Sequence, residues 1–334
     1  MTTDREPILE IKGLRTQFFL HEGTVTALDG IDLTIYENES VGIVGETGCG
    51  KSMTALSVLR LVPHPGKITA GSIKFKGLEL MKLTDEQMRG IRGKSISMIF
   101  QDPSSSLDPV FNIGSQLGEV ISLHQNIYEK EALRKKTIDV LKLVKIAAPE
   151  SVLRQYPHEL SGGMKQRIMI ALALSCNPSL LLADEPTTAL DVTIQAQILN
   201  LLKEVVKVAG SSMILITHNL GVVAESCDRI CIMYAGRIVE ISETFELFER
   251  PLHPYAKGLL MAFPKLGEQK EELAVVRGTV PNLMEPFPGC SFVDRCDYAT
   301  DVCRRVRPSL VEVRPGHMVA CHLYPEGGGE PNGS

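Results

Sequence analysis

Eight residues constrain this chain more than any others: Gly45, Glu46, Thr47, Gly48, Cys49, Gly50, Lys51 and Ser52, which match the spacing G-x-x-x-x-G-K-[ST]. They follow a short apolar run at residues 40–44 and precede a helical pattern at residues 53–61. Strand, glycine loop, helix is the opening of a parallel α/β unit. Glycine lets backbone N–H groups wrap around phosphate oxygens, and Lys51 brings a cation to the β- and γ-phosphates. Ser52 offers a hydroxyl to Mg²⁺, and the helix starting beside Met53 points its positive end at the same anion. The plain alternative is an ordinary glycine turn.

Two further stretches extend that chemistry. Residues 180–185 read LLLADE. An apolar strand there delivers two carboxylates at its C-terminal end, where parallel sheets bind ligands. Asp184 is placed to hold Mg²⁺ through water, and Glu185 to polarise an attacking water as general base. Two acids after an apolar run are commonplace, so the pair gains weight only beside the glycine loop. Residues 161–166 read SGGMKQ and precede an apolar helical pattern. Ser161 fits an N-cap, and Gly162 and Gly163 allow close approach to an anion, although glycine weakens a first turn. One nucleotide does not need a second phosphate-binding helix end in the same chain. Such an end makes sense if it serves another subunit's nucleotide.

The 334 residues exceed one comfortable core, which favours one large domain and a small appendage. Apolar residues make up 44% and charged residues 22%, ordinary for a globular chain. A formal charge of −5 argues against an extended nucleic-acid surface. The polar, acidic start lacks the pattern of a signal peptide, and the longest apolar runs are far short of the roughly 20 residues a spanning helix needs. The expected setting is therefore the cytosol, where cysteines stay reduced. Cys49, Cys176, Cys227 and Cys231 are scattered, whereas Cys290, Cys296, Cys303 and Cys321 crowd the last fifth of the chain. Cys49 lies beside Lys51 and a helix N-terminus, both of which lower a thiol pKa.

Along the chain, residues 8–11, 25–28 and 31–35 read as short β elements, and residues 103–174 as mostly helical. The α/β pattern resumes with a strand at 180–183, a helix at 195–208 and a strand at 213–217. Prolines 251, 254, 264, 281, 286 and 288 then mark a change of character, and the GGGEPNGS tail reads as disordered. The expected fold is α/β: a P-loop parallel-sheet core with an N-terminal antiparallel β subdomain, an inserted helical subdomain and a small cysteine-rich C-terminal extension. The expected division is 1–255, with the insert at about 103–175, and 256–334.

The order GETGCGKS, Gln101, LSGGMKQ, LLLADE, Ala189-Leu190-Asp191 and Thr217-His218 resembles the nucleotide-binding domain of ABC transporters over about residues 8–250. The resemblance implies two such domains packed head to tail, each ATP lying between one P-loop and the other chain's signature helix. It implies that Ser161, Gly162, Gly163 and Gln166 belong to that signature, with Met164 where glutamine is usual. Gln101 then senses Mg²⁺ and the membrane partner, His218 contacts the γ-phosphate, Asp191 communicates across the dimer, and Phe18 or Phe19 stacks on adenine. Alone, a histidine after a strand is more often structural.

A narrower resemblance covers nearly the whole chain. QDPSSSLDPVFNIGSQ from Gln101, DEPTTALDVTIQAQIL from Asp184, HPYAKGLL from His253 and PFPGCSFVDRC near Cys290 are similar to the ATP-binding subunits of dipeptide and oligopeptide permeases. This implies a peripheral protein on the cytoplasmic face of the membrane. Its partners are two transmembrane permease subunits, a second ATPase subunit and, indirectly, an external substrate-binding protein. Relatives that carry nickel or other small solutes remain an alternative, as does a non-transport ABC ATPase. The four late cysteines, spaced C-x5-C-x6-C-x17-C, point to a metal site. The resemblance makes them a [4Fe-4S] ligand set, with zinc and unmetallated thiols as alternatives; His317 and His322 are expected at the surface.

Overall fold

The structure, a computed structural model, describes residues 6–188, 190–261, 277–285 and 287–324, with the side chains of Ser104 and Val192 excepted. Ala189, Pro264, Pro286 and the GGGEPNGS tail lie outside the described residues. The strands are β1 (Pro7–Leu20), β2 (Gly23–Tyr36), β3 (Ser40–Val44), β4 (Gly66–Phe75), β5 (Leu78–Glu79) and β6 (Ile96–Ile99). They continue with β7 (Leu180–Asp184), β8 (Ser212–Thr217), β9 (Arg229–Tyr234), β10 (Arg237–Glu243), β11 (Val311–Arg314) and β12 (His317–Val319). The chain divides into two compact units.

The first unit holds residues 1–35, 41–81 and 217–334. Its N-terminal sheet runs β2-β1-β4-β5, with β4 antiparallel to β1 and β5. Ile31, Leu33 and Ile35 are buried while Asp32 is exposed, the period-2 alternation of a sheet with one packed face. The three short elements expected in this region are in fact two 14-residue strands. Polar residues between the apolar runs continue the alternation, and the chain turns only at residues 21 and 22. Elsewhere in the unit β3 runs parallel to β9, β9 pairs antiparallel with β10, and β10 is extended by β12 and β11. The carboxyl-terminal segment packs inward through Leu252, Val319 and Tyr324. His317, expected at the surface, is buried instead, with Nε2 2.7 Å from the carboxylate of buried Glu240. Glu240 also accepts from the Leu252 and His253 backbone N–H groups, so this carboxylate ties the segment to β10.

The second unit holds residues 36–40 and 82–216. β6, β7 and β8 are parallel, and every residue of β7 and β8 is buried, as parallel strands covered on both faces require. Residues 103–174 form the expected helical stretch. In helix Ile113–Gln125, Asn112 Oδ1 accepts from the Ser115 N–H at 2.8 Å, and the helix ends at left-handed Asn126. Ile113, Leu117 and Ile121 form its buried stripe. Helix Lys130–Leu143 is capped by the Glu129 carboxylate, and Gly118 leaves room for the close approach of Leu133. No helix among the described residues is long and apolar enough to cross a membrane.

Candidate functional site

In the first unit, β3 delivers residues 45–50 directly into helix Lys51–Val58. Gly48 and Gly50 have φ of 81° and 105°, and a Cβ on Gly50 would stand 2.7 Å from the Ala27 carbonyl oxygen. Glycine is therefore required at position 50 by conformation and by space together. Lys51 is buried, and its ammonium donates to the carbonyls of Gly45 at 2.9 Å and Glu46 at 3.0 Å. That arrangement folds the ammonium back over the loop's own carbonyls. Thr47 and Gly48 are exposed, Ser52 and Met53 half-buried.

Cys49 differs from expectation. Its side chain is fully buried, and burial raises its pKa despite the lowering influence of Lys51 beside it. Taking the thiolate out of water costs more here than one neighbouring cation returns. The activated thiol read from the sequence is thus corrected to an inert, packed one.

His218 and Asn219 border the same hollow, about 520 Å³, as Gly45, Glu46 and Thr47. The Asn219 carboxamide caps helix Leu220–Ser226 and fixes the chain just after His218. Of the two candidate aromatics on β1, Phe18 packs against Gly66, while Phe19 is 47% exposed and offers the freer ring.

In the second unit, β7 ends in buried Asp184 followed by half-buried Glu185. Glu185 has φ of 44°, in the left-handed region, and its N–H donates to the Ile216 carbonyl at 2.9 Å. Its carboxylate accepts from the Gln101 side-chain amide at 3.1 Å and from the Thr188 hydroxyl at 2.8 Å. Gln101 and Glu185, 84 positions apart, are therefore brought together, and Thr188 joins them. Sequence reading passed over Thr188; its offset of three from an acid in a turn was the available signal.

Helix Gly162–Leu174 begins with Ser161 as N-cap, its hydroxyl accepting from the Met164 N–H at 3.4 Å. Ser161 and Gly162 are exposed and Gly163 half-buried. A Cβ on Gly163 would lie 3.1 Å from Ile194, so tight packing is a further reason for glycine there. Gln166 departs from the expected signature face: its side chain is 1% exposed, because it lies one turn in on the packed side of the helix. Asp191 is exposed at the head of helix Val192–Ala209.

All four late cysteines line one small cavity of about 70 Å³ in the first unit, together with Phe292 and His322. Burial raises the thiol pKa of Cys290 and Cys296 and pushes Cys321 up to about 12, with neighbouring cysteines adding to each shift. As placed, no group of three or more His, Cys, Asp or Glu among the described residues could hold a metal ion. The shared cavity meets the first requirement of a Cys₄ group.

Residues 28–188 match the ABC transporter family, and residues 239–303 match the C-terminal region of oligopeptide/dipeptide transporters. A probable peptide ABC transporter ATP-binding protein of Sinorhizobium fredii is 50% identical, covering 94% of each chain. A dipeptide transport ATP-binding protein of Bacillus subtilis, DppD, is 49% identical over 95% of each. The oligopeptide transport ATP-binding protein AppD of the same organism is 47% identical, over 97% of this chain and 98% of its own. Among solved structures, a dimeric ATP-binding cassette in a post-hydrolysis state, bound to ADP and Pi, is similar. Its TM-score is 0.64 at 28% identity, covering 71% of this chain and 98% of that one.

Proposed function

Since the chain belongs to the ABC transporter family and is an ATPase of that family, we propose that it powers the import of dipeptides or oligopeptides. Its two permease partners span the membrane, a second ATPase subunit completes the pair, and an external binding protein delivers substrate. The chain then works at the cytoplasmic face. Exposed Phe100, Val110 and Phe111 support a docking role for the start of the helical stretch, since large apolar side chains there lack cover.

In this reading the loop from Gly45 to Ser52 binds the ATP phosphates through backbone N–H groups, with Lys51 compensating their charge and Phe18 or Phe19 stacking on adenine. The donors expected for Mg²⁺ are Ser52, Gln101 and Asp184, all of them oxygen donors, which suits this hard cation. Mg²⁺ held by these residues would supply charge compensation for the phosphates. Glu185 orients a water and accepts its proton as the water oxygen bonds to the γ-phosphorus and the β–γ bridging oxygen leaves with ADP. His218 contacts the γ-phosphate. Ser161, Gly162 and Gly163 serve the partner's nucleotide, and Asp191 signals across the pair.

The observation that carries this reading is the Glu185 carboxylate, held by Gln101 and Thr188 at the end of buried β7. Glu185→Gln keeps the shape and removes the base, and is expected to lower Mg-ATP turnover by about 10²–10⁴-fold while leaving nucleotide binding intact. Unchanged turnover would remove Glu185 from the chemistry.

For the late cysteines, residues 256–334 are read as an extension that holds a [4Fe-4S] cluster through Cys290, Cys296, Cys303 and Cys321. Support comes from the four thiols gathered around one cavity. Such a cluster would take four thiolates as ligands, and its iron would supply the positive charge that favours thiolates in a buried setting.

A further inference from the structure

We infer that Arg295, from the cysteine-bearing segment, is a positioning residue that holds and neutralises Glu46, making this segment part of the phosphate-binding loop's support. The inference rests on reading residues 45–52 as that loop. Arg295 Nη1 and Nη2 donate to the two Glu46 carboxylate oxygens at 2.8 and 2.9 Å, a two-point fork with charge on both sides. The arginine side chain is 6% exposed. Its Nε donates to the Arg277 carbonyl at 2.7 Å, and Nη1 reaches the Tyr234 hydroxyl at 3.3 Å. The guanidinium lies over the rings of Tyr234 and Phe292, 5.6 and 5.8 Å from their centroids. A guanidinium fixed from so many sides is a rigid support rather than a wandering surface charge.

Glu46 is held at every polar group. Its carbonyl accepts from Lys51 at 3.0 Å, its N–H donates to the Tyr255 hydroxyl at 2.9 Å, and its carboxylate takes the Arg295 fork. Tyr255 is itself buried against Tyr234 and Phe292, with centroids 4.7 and 5.4 Å away. Two of the three anchors of this loop residue therefore come from sequence more than 200 positions downstream. A carboxylate inside a phosphate-binding loop is a liability, because it repels the polyphosphate the loop must accept. Paired to Arg295, it carries no net charge toward the ligand and pins the loop at the same time. Nothing in the loop motif demands Glu46 or Arg295, which is why neither was singled out as a pair in the sequence.

The test is isothermal titration of the full-length protein with Mg-ADP and with a slowly hydrolysed ATP analogue. Arg295→Ala should raise Kd about tenfold for both, because it strands the Glu46 charge. In ATPase assays it should raise KM more than it lowers kcat. Arg295→Lys keeps the charge and loses the fork, so it should fall between. Arg304→Ala, which removes an exposed neighbouring arginine, should bind as the wild type. If Arg295→Ala merely loosened the segment, adding Glu46→Gln would restore nothing; if it strands a carboxylate, the double variant recovers most of the lost affinity. Wild-type affinity in Arg295→Ala, or no recovery in the double variant, overturns the inference. Lys51→Ala serves as the separate check: wild-type affinity there removes the loop reading itself and the inference with it.

Discussion

Glu185 shows how much a single residue is made to do. It sits in the left-handed region, which costs a β-carbon-bearing residue on the order of 1–3 kcal/mol, and the bonds from Gln101 and Thr188 hold its carboxylate. Thr188→Val keeps the volume and removes the hydroxyl, and should lower ATP turnover about tenfold at unchanged nucleotide affinity. Turnover equal to wild type would show that Gln101 alone suffices. At Gly50, substitution by alanine meets both an unfavourable φ and a carbonyl 2.7 Å away, so nucleotide binding should be lost in titration. These glycine, lysine and carboxylate positions stand out in the sequence because their spacing encodes chemistry along the chain. Cys49 was misread because its pKa depends on burial, which the neighbouring letters do not reveal. Gln166 belongs to the signature stretch in sequence, yet its burial was not legible there, because motif membership does not say which face of a helix a side chain takes.

At the scale of elements, β2 is tied to distant parts of its unit through Asp29. Its carboxylate receives Arg15 at 2.6 Å, Arg237 at 2.6 Å and Arg307 at 2.6 Å. Burial acts to raise its pKa, yet the three guanidinium groups, Arg237 foremost, prevail and hold it below the ordinary carboxylate range. A lowered folded-state pKa means stability that is fully present above the unfolded value and lost as pH falls through the folded one. Asp29→Asn should therefore destabilise the protein by about 1–3 kcal/mol at pH 7 in urea unfolding. The gap between variant and wild type should begin to narrow below about pH 4, as the unfolded chain's carboxylate protonates, and close only once pH falls below the lowered folded-state value. A gap that stays constant with pH would assign the loss to packing. This cluster was invisible in the sequence, since its ion pairs join residues up to 278 positions apart. The strands themselves were legible from alternation, although their lengths were underestimated where polar residues continue the pattern.

At the scale of the molecule, two chemistries share one chain: a nucleotide loop early in the sequence and four thiols near its end. The cysteines' crowding in sequence was legible, whereas the cavity they line and the arginine link from their segment to Glu46 needed three dimensions. Anaerobically purified protein should carry iron and acid-labile sulfide at about four each per chain, and Cys296→Ser should lose both. Full metal content in that variant would exclude the four-ligand set. In the proposed function, ATP hydrolysis by this chain drives peptide import. The most direct measurement is uptake of a labelled dipeptide or oligopeptide into vesicles holding the chain with its permease subunits, energised by Mg-ATP on the side where the chain sits. ATP-dependent uptake is expected with wild type and none with Glu185→Gln. Equal uptake by the two, or uptake without ATP, would contradict that function.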